Sequence, residues 1–296
     1  MKKKNLLIVY IIALLILAIP VTIYGVMHFS TYTSSSTNKN DNKTPSDDSS
    51  TSDETTKKPV EEPTKVVDRF EGKTLINPKG IPVLCYHTIG DVPGNTLYVS
   101  QEKFREQMKY LKDNGYFTLT IDEFNDYILT HKAIPEKSVL ITFDDGYRDN
   151  YTLAYPILKE NSQNATIFVI TDTFNNPSNL SKDQILEMHG NGIDFASHTT
   201  KHQALNEFSY EDQLNILKDS KKALEDLLGK DIVTFAYPYS KYNTDTDKAV
   251  KTVGYKVAFD LDGGITYQNN DPIHIDRQYV NGNYNLEQFK TLLIVK

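Results

Sequence analysis

The stretch from 139 to 146 constrains the fold of this chain more than any other. It reads Val-Leu-Ile-Thr-Phe and then Asp144-Asp145-Gly146. The unbroken apolar and β-branched run predicts a strand buried on both faces, as in a parallel sheet. Carboxylates are costly to bury, so two of them directly after such a strand indicate a site at the mouth of a sheet or barrel. A plain turn is the alternative on this segment alone, because Asp-Gly is a common turn pair.

Strands and helices are predicted to alternate along the rest of the domain. Helical periodicity indicates helices such as 100–114, 150–160 and 210–228, whereas short β-branched runs such as 165–170 and 257–259 indicate strands. A last strand is expected over 273–280. The alternation predicts an α/β fold whose parallel sheet, open or closed, is covered by helices. In such folds functional residues gather at the carboxyl ends of the strands.

Histidines follow two more of the predicted strands. His198 and His202 are four residues apart, so they share a face if that segment is helical. Joined with Asp145 at another strand end, they form a two-histidine, one-carboxylate set that suits a metal and leaves positions open for water and substrate. His87 ends the first strand, where a histidine can act as a general acid or base.

Composition limits the class of protein. The chain has 296 residues, enough for one large or two small domains, and its net charge of -7 gives no support to nucleic-acid binding. Cys85 is the single cysteine, so an intramolecular disulfide is impossible. The chain has 19 Tyr and 13 Phe. Tyr237 and Tyr239 flank Pro238 at a strand end, where they would either stack on sugar or only fill the rim of the site.

The N-terminal region predicts a membrane tether. Three lysines precede an uncharged stretch over 6–27, which is about 33 Å long as a helix and can span a bilayer. The lysines favour a cytoplasmic N-terminus and an extracellular domain. We therefore expect a single-pass anchor over 1–30, a disordered Ser/Thr-rich linker over 31–66 and a folded domain over 67–296. A cleaved signal peptide is the alternative, although no clear Ala-x-Ala site follows.

These motifs together resemble the polysaccharide deacetylase family, the NodB-homology group of carbohydrate esterase family 4. Thr142-Phe143-Asp144-Asp145-Gly146 resembles the family's first motif, and the segment from Ser197 to His202 contains the second, His-Ser/Thr-x-x-His. Ala236-Tyr237-Pro238-Tyr239 stands where the third is expected. The resemblance covers about 81–280. It implies a deformed (β/α) barrel with seven parallel strands that removes acetyl groups from glycans.

The resemblance also implies a division of labour at the site. Asp145, His198 and His202 would bind the metal, while Asp144 would take the proton of the attacking water. We expect the two carboxylates to separate because successive residues of an extended chain point to opposite sides.

Two further roles follow from the same resemblance. The backbone N–H of Tyr239 would stabilise the oxyanion, and His87 would protonate the leaving amine. Substrate contacts are expected from Tyr239, Tyr237 and Arg277.

The sequence departs from the common family pattern at two positions. Ala236 stands where most members have arginine, and the usual late Leu-x-His motif has no clean copy. Both departures resemble a circularly permuted branch, similar to poly-N-acetylglucosamine deacetylases, in which the histidine ends the first strand; Leu84-Cys85-Tyr86-His87 fits that description. His274 is the alternative general acid. Arg277 is a candidate to supply the charge that the missing arginine would give to Asp144.

The sequence thus predicts a monomeric, membrane-anchored enzyme that removes N-acetyl groups from a cell-surface or extracellular N-acetylglucosamine-containing polysaccharide. The ligand set suits Zn²⁺, and also Co²⁺, Ni²⁺ or Mn²⁺. One alternative is an O-acetyl esterase acting on an acetylated polysaccharide. The other is a glycan-binding surface protein that has lost catalysis, for which Ala236 is the only supporting feature.

Overall fold

The computed structural model describes residues 68–295. The predicted anchor over 1–30 and linker over 31–66 lie outside the described residues. Within 68–295, no helix combines the length and the apolar character needed to cross a membrane.

Fourteen strands are present in the described residues; seven of them form the continuous path of the central sheet, and an eighth, Phe117–Thr118, pairs with one strand of that path. The strands are β1 Leu75–Ile76, β2 Gly80–Ile81, β3 Val83–Tyr86, β4 Thr88–Ile89, β5 Tyr98–Val99, β6 Phe117–Thr118, β7 Ile134–Pro135, β8 Ser138–Phe143, β9 Ala165–Val169, β10 Ile193–Ser197, β11 Thr234–Ala236, β12 Val257–Phe259, β13 Thr266–Tyr267 and β14 Gln278–Tyr279. The order in the central sheet is β12-β11-β10-β9-β8-β3-β14. Every pairing along this path is parallel, which confirms the prediction of seven parallel strands.

Helices connect these strands, as expected for parallel neighbours. They are α1 Gln101–Asp113, α2 Ile121–Thr130, α3 Tyr155–Asn161, α4 Lys182–His189, α5 Tyr210–Leu228, α6 Thr244–Val253 and α7 Leu286–Thr291. Several begin at side-chain caps that the sequence encodes locally; Thr120 and Ser181, for example, form capping boxes with the residues three positions later. The predicted helix over 150–160 is instead a π-helical turn, Asn150–Ala154, followed by α3.

The last strand differs from its prediction in a way that matters for the site. Only Gln278–Tyr279 pairs with β3, whereas Ile275 makes a parallel bridge with Phe259 of β12. The segment over 273–280 therefore supplies one end of the seven-stranded path, β14, and bridges to the strand at the other end, β12. The arrangement is consistent with a deformed (β/α) barrel, and the break between the two pairings falls beside Arg277.

The alternating side chains of the strands form two apolar clusters. Val139, Ile141 and Phe143 of β8 belong to a cluster with residues of α1 and α3 to α7, whereas Leu140 belongs to a second cluster with residues of α2 and of other strands. Both faces of β8 are buried, as its uninterrupted apolar sequence predicts. The polar residues after β8, β10 and β11 are therefore brought together at one end of the sheet.

Candidate active site

A cleft of about 790 Å³ lies at the carboxyl ends of the central strands. Residues that follow β3, β8, β9, β10, β11 and β12 meet there, together with residues of β14. Its lining consists of His87, Thr96, Leu97, Asp144, Asp145, Tyr147, Ile170, His198, His202, Tyr237, Tyr239, Ser240, Leu261, Asp262, Arg277 and Tyr279. The cleft therefore contains all eight of the site residues predicted from the sequence.

The two adjacent aspartates have different partners. Arg277 Nη1 donates to Asp144 Oδ1 at 2.6 Å, and Arg277 Nη2 donates to Asp144 Oδ2 at 2.7 Å. Burial acts to raise the pKa of Asp144, but the Arg277 guanidinium, together with the nearby His198 and His87, outweighs burial and holds this pKa well below its ordinary value. Asp144 is therefore an ionised carboxylate across the neutral pH range.

Arg277 is fixed by several other contacts. Its Nε donates to the backbone oxygen of Asp260 at 2.9 Å, and Nη1 also reaches Thr142 Oγ1 at 3.2 Å. Its guanidinium lies 5.3 Å from the ring centroid of Phe168 and 5.9 Å from that of Phe259. Only 1% of Arg277 is exposed and its guanidinium is occupied by Asp144, so its contact with substrate stays a prediction. The pairing with Asp144 agrees with the other role suggested for it, a replacement for the arginine absent at Ala236.

Asp145 faces the two histidines of the second motif. Its Oδ1 lies 3.5 Å from His198 Nε2 and 3.3 Å from His202 Nε2. His198 Nδ1 is 2.8 Å from the backbone oxygen of Ala236 and must donate to it, so the neutral ring turns the lone pair of Nε2 towards Asp145. Burial lowers the pKa of His198 to about 3, which keeps this ring neutral.

These three groups fit a divalent cation. Asp145 Oδ1 is buried and finds no hydrogen-bond donor among residues 68–295. Burial and then the neighbouring Asp144 raise the pKa of Asp145 to about 6, so its charge is poorly compensated by the protein itself. Three acceptor atoms within 4.8 Å of one another match the donor set of a Zn²⁺-type ion.

A second group of potential ligands lies next to the first. Cys85, His87 and Asp144 also have candidate ligand atoms within 4.8 Å of one another. Here, however, both oxygens of Asp144 already accept from Arg277, and a cation would be placed beside the guanidinium. The Asp145 group is therefore the better metal site.

Unusual backbone conformations concentrate around the cleft. Within 68–295, non-glycine residues with positive φ are Asp145, Thr199, His202, Tyr239 and Ser240 at the site, plus His131 and Ser162 at helix ends. Such conformations are sparsely populated and cluster where the surrounding structure enforces them. Gly146 follows with φ 65°, and a Cβ there would lie 2.8 Å from Val169 Cγ1, so the third residue of the Asp-Asp-Gly motif cannot carry a side chain.

This backbone corrects two sequence-based explanations. His198 and His202 come together through a turn with left-handed residues at Thr199 and His202, not through a helix. Asp144 and Asp145 diverge because β8 ends at Phe143 and Asp145 has φ 71°, not because an extended strand continues through them.

The two candidate general acids occupy different places. A ring nitrogen of His87 lies within 4.8 Å of an Asp144 carboxylate oxygen, and His87 lines the cleft. His274 is absent from the lining; its Nε2 lies 3.4 Å from Asp247 Oδ1, and its ring stacks against Tyr237 and Tyr242. The structure therefore favours His87 over His274 on position.

The tyrosines of the third motif also differ from each other. Tyr239 is 65% exposed and its ring lies edge-on to His202 with centroids 4.4 Å apart. Tyr237 is 1% exposed, and its hydroxyl donates to the backbone oxygen of Ile273 at 3.1 Å. No ring face of Tyr237 is available to a sugar, so its predicted substrate contact is wrong and its ring packs beneath the cleft.

Sequence reasoning missed other residues of the cleft. Tyr279 and Thr96 line it and share a hydrogen bond of 3.0 Å between their hydroxyls. Tyr279 stands two positions after Arg277, a spacing that could have indicated the same face of the last strand. Leu97 and Asp262 come from loops, and their positions depend on tertiary contacts that no local pattern records.

Comparison with known proteins agrees with this geometry. The polysaccharide deacetylase family model matches residues 131–258, which include the Asp-Asp-Gly and His-x-x-x-His segments. YxkH of Bacillus subtilis (strain 168), assigned as a polysaccharide deacetylase, is 38% identical over 208 residues, which are 70% of this chain and 74% of YxkH. The poly-beta-1,6-N-acetyl-D-glucosamine N-deacetylase of Staphylococcus aureus (strain MRSA252) is 34% identical over 193 residues, which are 60% of this chain and 66% of that enzyme.

Solved structures show the same relationship. The deacetylase PplD of Streptococcus pyogenes, determined in complex with acetate, is similar with a TM-score of 0.71 and 30% identity, over 74% of this chain and all of that one. The polysaccharide deacetylase BC0361 of Bacillus cereus gives a TM-score of 0.65 and 30% identity, over 72% of this chain and 68% of that one. The extent of identity to YxkH and the likeness of the fold lead to one conclusion: the chain belongs to the polysaccharide deacetylase family, whose members are hydrolases.

Proposed function

We propose that the chain is a metal-dependent hydrolase that removes N-acetyl groups from an extracellular polysaccharide containing N-acetylglucosamine. The observation that carries this proposal is the separation of two adjacent carboxylates. Asp144 pairs with Arg277, whereas Asp145 faces His198 and His202. One dipeptide can thus provide a base and a metal ligand within the same cleft.

Asp145, His198 and His202 would hold the metal, with Zn²⁺ the best match to the donor set. A cation bound there would polarise the acetyl carbonyl and lower the pKa of a water molecule towards 7. Asp144 accepts the proton of the attacking water. Its pairing with Arg277 keeps it ionised, and the guanidinium limits how strong a base it can be.

Two other groups complete the reaction. His87, near the Asp144 carboxylate, donates a proton to the nitrogen of the leaving amine, without which an amide does not break readily. The backbone N–H of Tyr239 is the candidate donor to the carbonyl oxygen as negative charge develops there. Its left-handed backbone, with φ 58°, supports a fixed orientation for this peptide group.

The substrate proposal rests on relatives and on the cleft. The Staphylococcus aureus relative is named for N-deacetylation of poly-beta-1,6-N-acetyl-D-glucosamine. The cleft here is a large surface opening flanked by the exposed ring of Tyr239, which suits a polymer that passes across the site. The uncharged stretch over 6–27 and the polar linker support an anchored enzyme with an extracellular active site.

An acetate-release assay tests this function. The purified domain, loaded with Zn²⁺, is incubated with N-acetylglucosamine oligomers and with O-acetylated xylan, and acetate and free amines are measured. The proposal expects equal amounts of acetate and amine from the first substrate. Acetate from xylan alone would indicate an O-acetyl esterase. Binding without any acetate release would indicate a glycan-binding protein, a reading that Ala236 no longer supports because Arg277 pairs with Asp144.

A further inference from the structure

The charges of the cleft do not cancel. Among the described residues that line it, the charged side chains are Asp144, Asp145, Asp262 and Arg277. Arg277 neutralises Asp144 through the two hydrogen bonds described above, and a divalent cation would more than neutralise Asp145. Asp262 is then the one carboxylate of this lining that has no compensating partner within it.

Asp262 is exposed and held close to the reacting groups. The backbone N–H of the preceding Leu261 donates to Ser240 Oγ at 2.7 Å, which ties this loop to the turn that carries Tyr239. The N–H of Asp262 itself lies 3.3 Å from Asp260 Oδ1. The loop is therefore anchored by its backbone, and the Asp262 side chain remains free at the rim of the cleft.

The electrostatic surroundings of Asp262 are negative. Burial and then the neighbouring carboxylates Asp276 and Asp262 raise the pKa of Asp260 to about 6, with only part of this offset by hydrogen bonding and by Arg277. Arg277 is itself committed to Asp144. A positive group arriving at this rim would meet a carboxylate without a competing cation from the lining.

The proposed reaction generates such a positive group. Removal of an acetyl group turns a neutral acetamido sugar into a basic amine, which is a cationic ammonium in its protonated form. When the enzyme acts on a unit beside one already deacetylated, that neighbouring ammonium would reach the edge of the cleft. We infer that Asp262 determines specificity by binding this ammonium, so that the enzyme favours partly deacetylated amino-sugar chains over fully acetylated ones and disfavours anionic glycans.

This inference rests on the proposed function, and its test uses Asp262→Asn, which removes the charge and keeps the shape. The substrates are an N-acetylglucosamine pentamer and the same pentamer with some amines free, both given to the Zn²⁺-loaded protein. An exposed ion pair contributes up to about fivefold in affinity. The value of kcat/KM for the partly deacetylated pentamer, divided by that for the fully acetylated one, should therefore fall about two- to fivefold in the variant. The fall should come mainly from a higher KM for the partly deacetylated pentamer. Raising the salt concentration should reduce the wild-type ratio and leave the variant ratio nearly unchanged.

Glu136→Gln is the matched control. Glu136 is also exposed, but it precedes β8 and so lies at the opposite end of the strand from Asp144. The Glu136→Gln variant should leave the ratio of the two kcat/KM values unchanged. An equal ratio in wild type and Asp262→Asn would overturn the inference, as would a wild-type preference for the fully acetylated pentamer.

A binding measurement separates this inference from the proposed function. Calorimetry with the fully deacetylated glucosamine pentamer should show weaker binding to Asp262→Asn than to the wild type and to Glu136→Gln. If no pentamer releases acetate, the proposed function fails, and the binding result still decides the role of Asp262. Equal binding by all three proteins would refute it.

Discussion

Replacing Arg277 by Met tests the central electrostatic argument about the site. In the wild type, Arg277 holds both oxygens of Asp144 at 2.6 and 2.7 Å and overcomes the effect of burial on its pKa. An opposite charge at such a distance lowers a carboxyl pKa by about 1–3 units, whereas burial alone raises it by up to several units. Without Arg277, burial should therefore raise the pKa of Asp144 above its ordinary value.

The expected kinetic result is a shifted acid limb. Asp144 acts as a base only when ionised, so activity should fall about tenfold for each pH unit below the new pKa. Acetate release is measured from pH 4 to 9 on protein whose metal content has been checked. An acid limb that stays at the wild-type position in folded, metal-loaded Arg277→Met would refute the assignment of Arg277 as the group that keeps Asp144 ionised.

In the same variant, the effect of pH on the contribution of Asp144 to the free energy of unfolding should reverse its direction. In the wild type, the pKa of Asp144 is depressed, so its contribution to stability is present above the unfolded value of about 4 and is lost as the pH falls through the folded value. In Arg277→Met the folded pKa is raised, so the charged carboxylate destabilises the protein at neutral pH and this cost disappears on acidification. Leaving a buried charge unpaired costs about 3–5 kcal/mol. If this cost prevents Arg277→Met from folding, the double variant Arg277→Met with Asp144→Asn should recover stability without activity. The pH profile would then be measured on Arg277→Lys, which keeps a positive charge beside Asp144.

Three further results are expected. His202→Ala should lower the metal content by about tenfold or more at a fixed free Zn²⁺ concentration and should remove most activity. Elemental analysis measures the metal content, and full metal content in the variant would contradict the assignment of His202 as a ligand. His87→Gln should reduce kcat by about a hundredfold, whereas His274→Gln should retain most activity. The reverse pattern would exchange their roles. Tyr239→Pro removes the backbone N–H and cannot adopt φ 58°, so it should lower kcat by at least about a hundredfold. Tyr239→Gly keeps the N–H, so kcat should stay within about tenfold while KM for polymer rises. Equal losses of kcat in both variants would argue against the N–H of Tyr239 as the oxyanion donor.

Much of the fold was predictable because its signals are local. Apolar runs and helical periodicity located β8, β12 and α5, and the last two agree with the predicted bounds. Two predicted elements formed only in part. Asn150–Ala154 forms a π-helical turn, and the final strand divides between β12 and β3. In both places an alternative hydrogen-bonding pattern replaced the one that local periodicity favours.

The sequence alone determined which chemical groups the site contains. Asp144, Asp145, His198 and His202 follow strands, and parallel strands bring their carboxyl ends together. Only the tertiary structure decided how these groups act. It put Arg277, 133 positions from Asp144, into a buried ion pair. It also buried the ring of Tyr237 and left Asp262 without a compensating charge in the lining of the cleft. The reason is physical: residue type fixes which charges a chain carries, whereas their energies depend on distance and burial, which are set only when remote segments pack together.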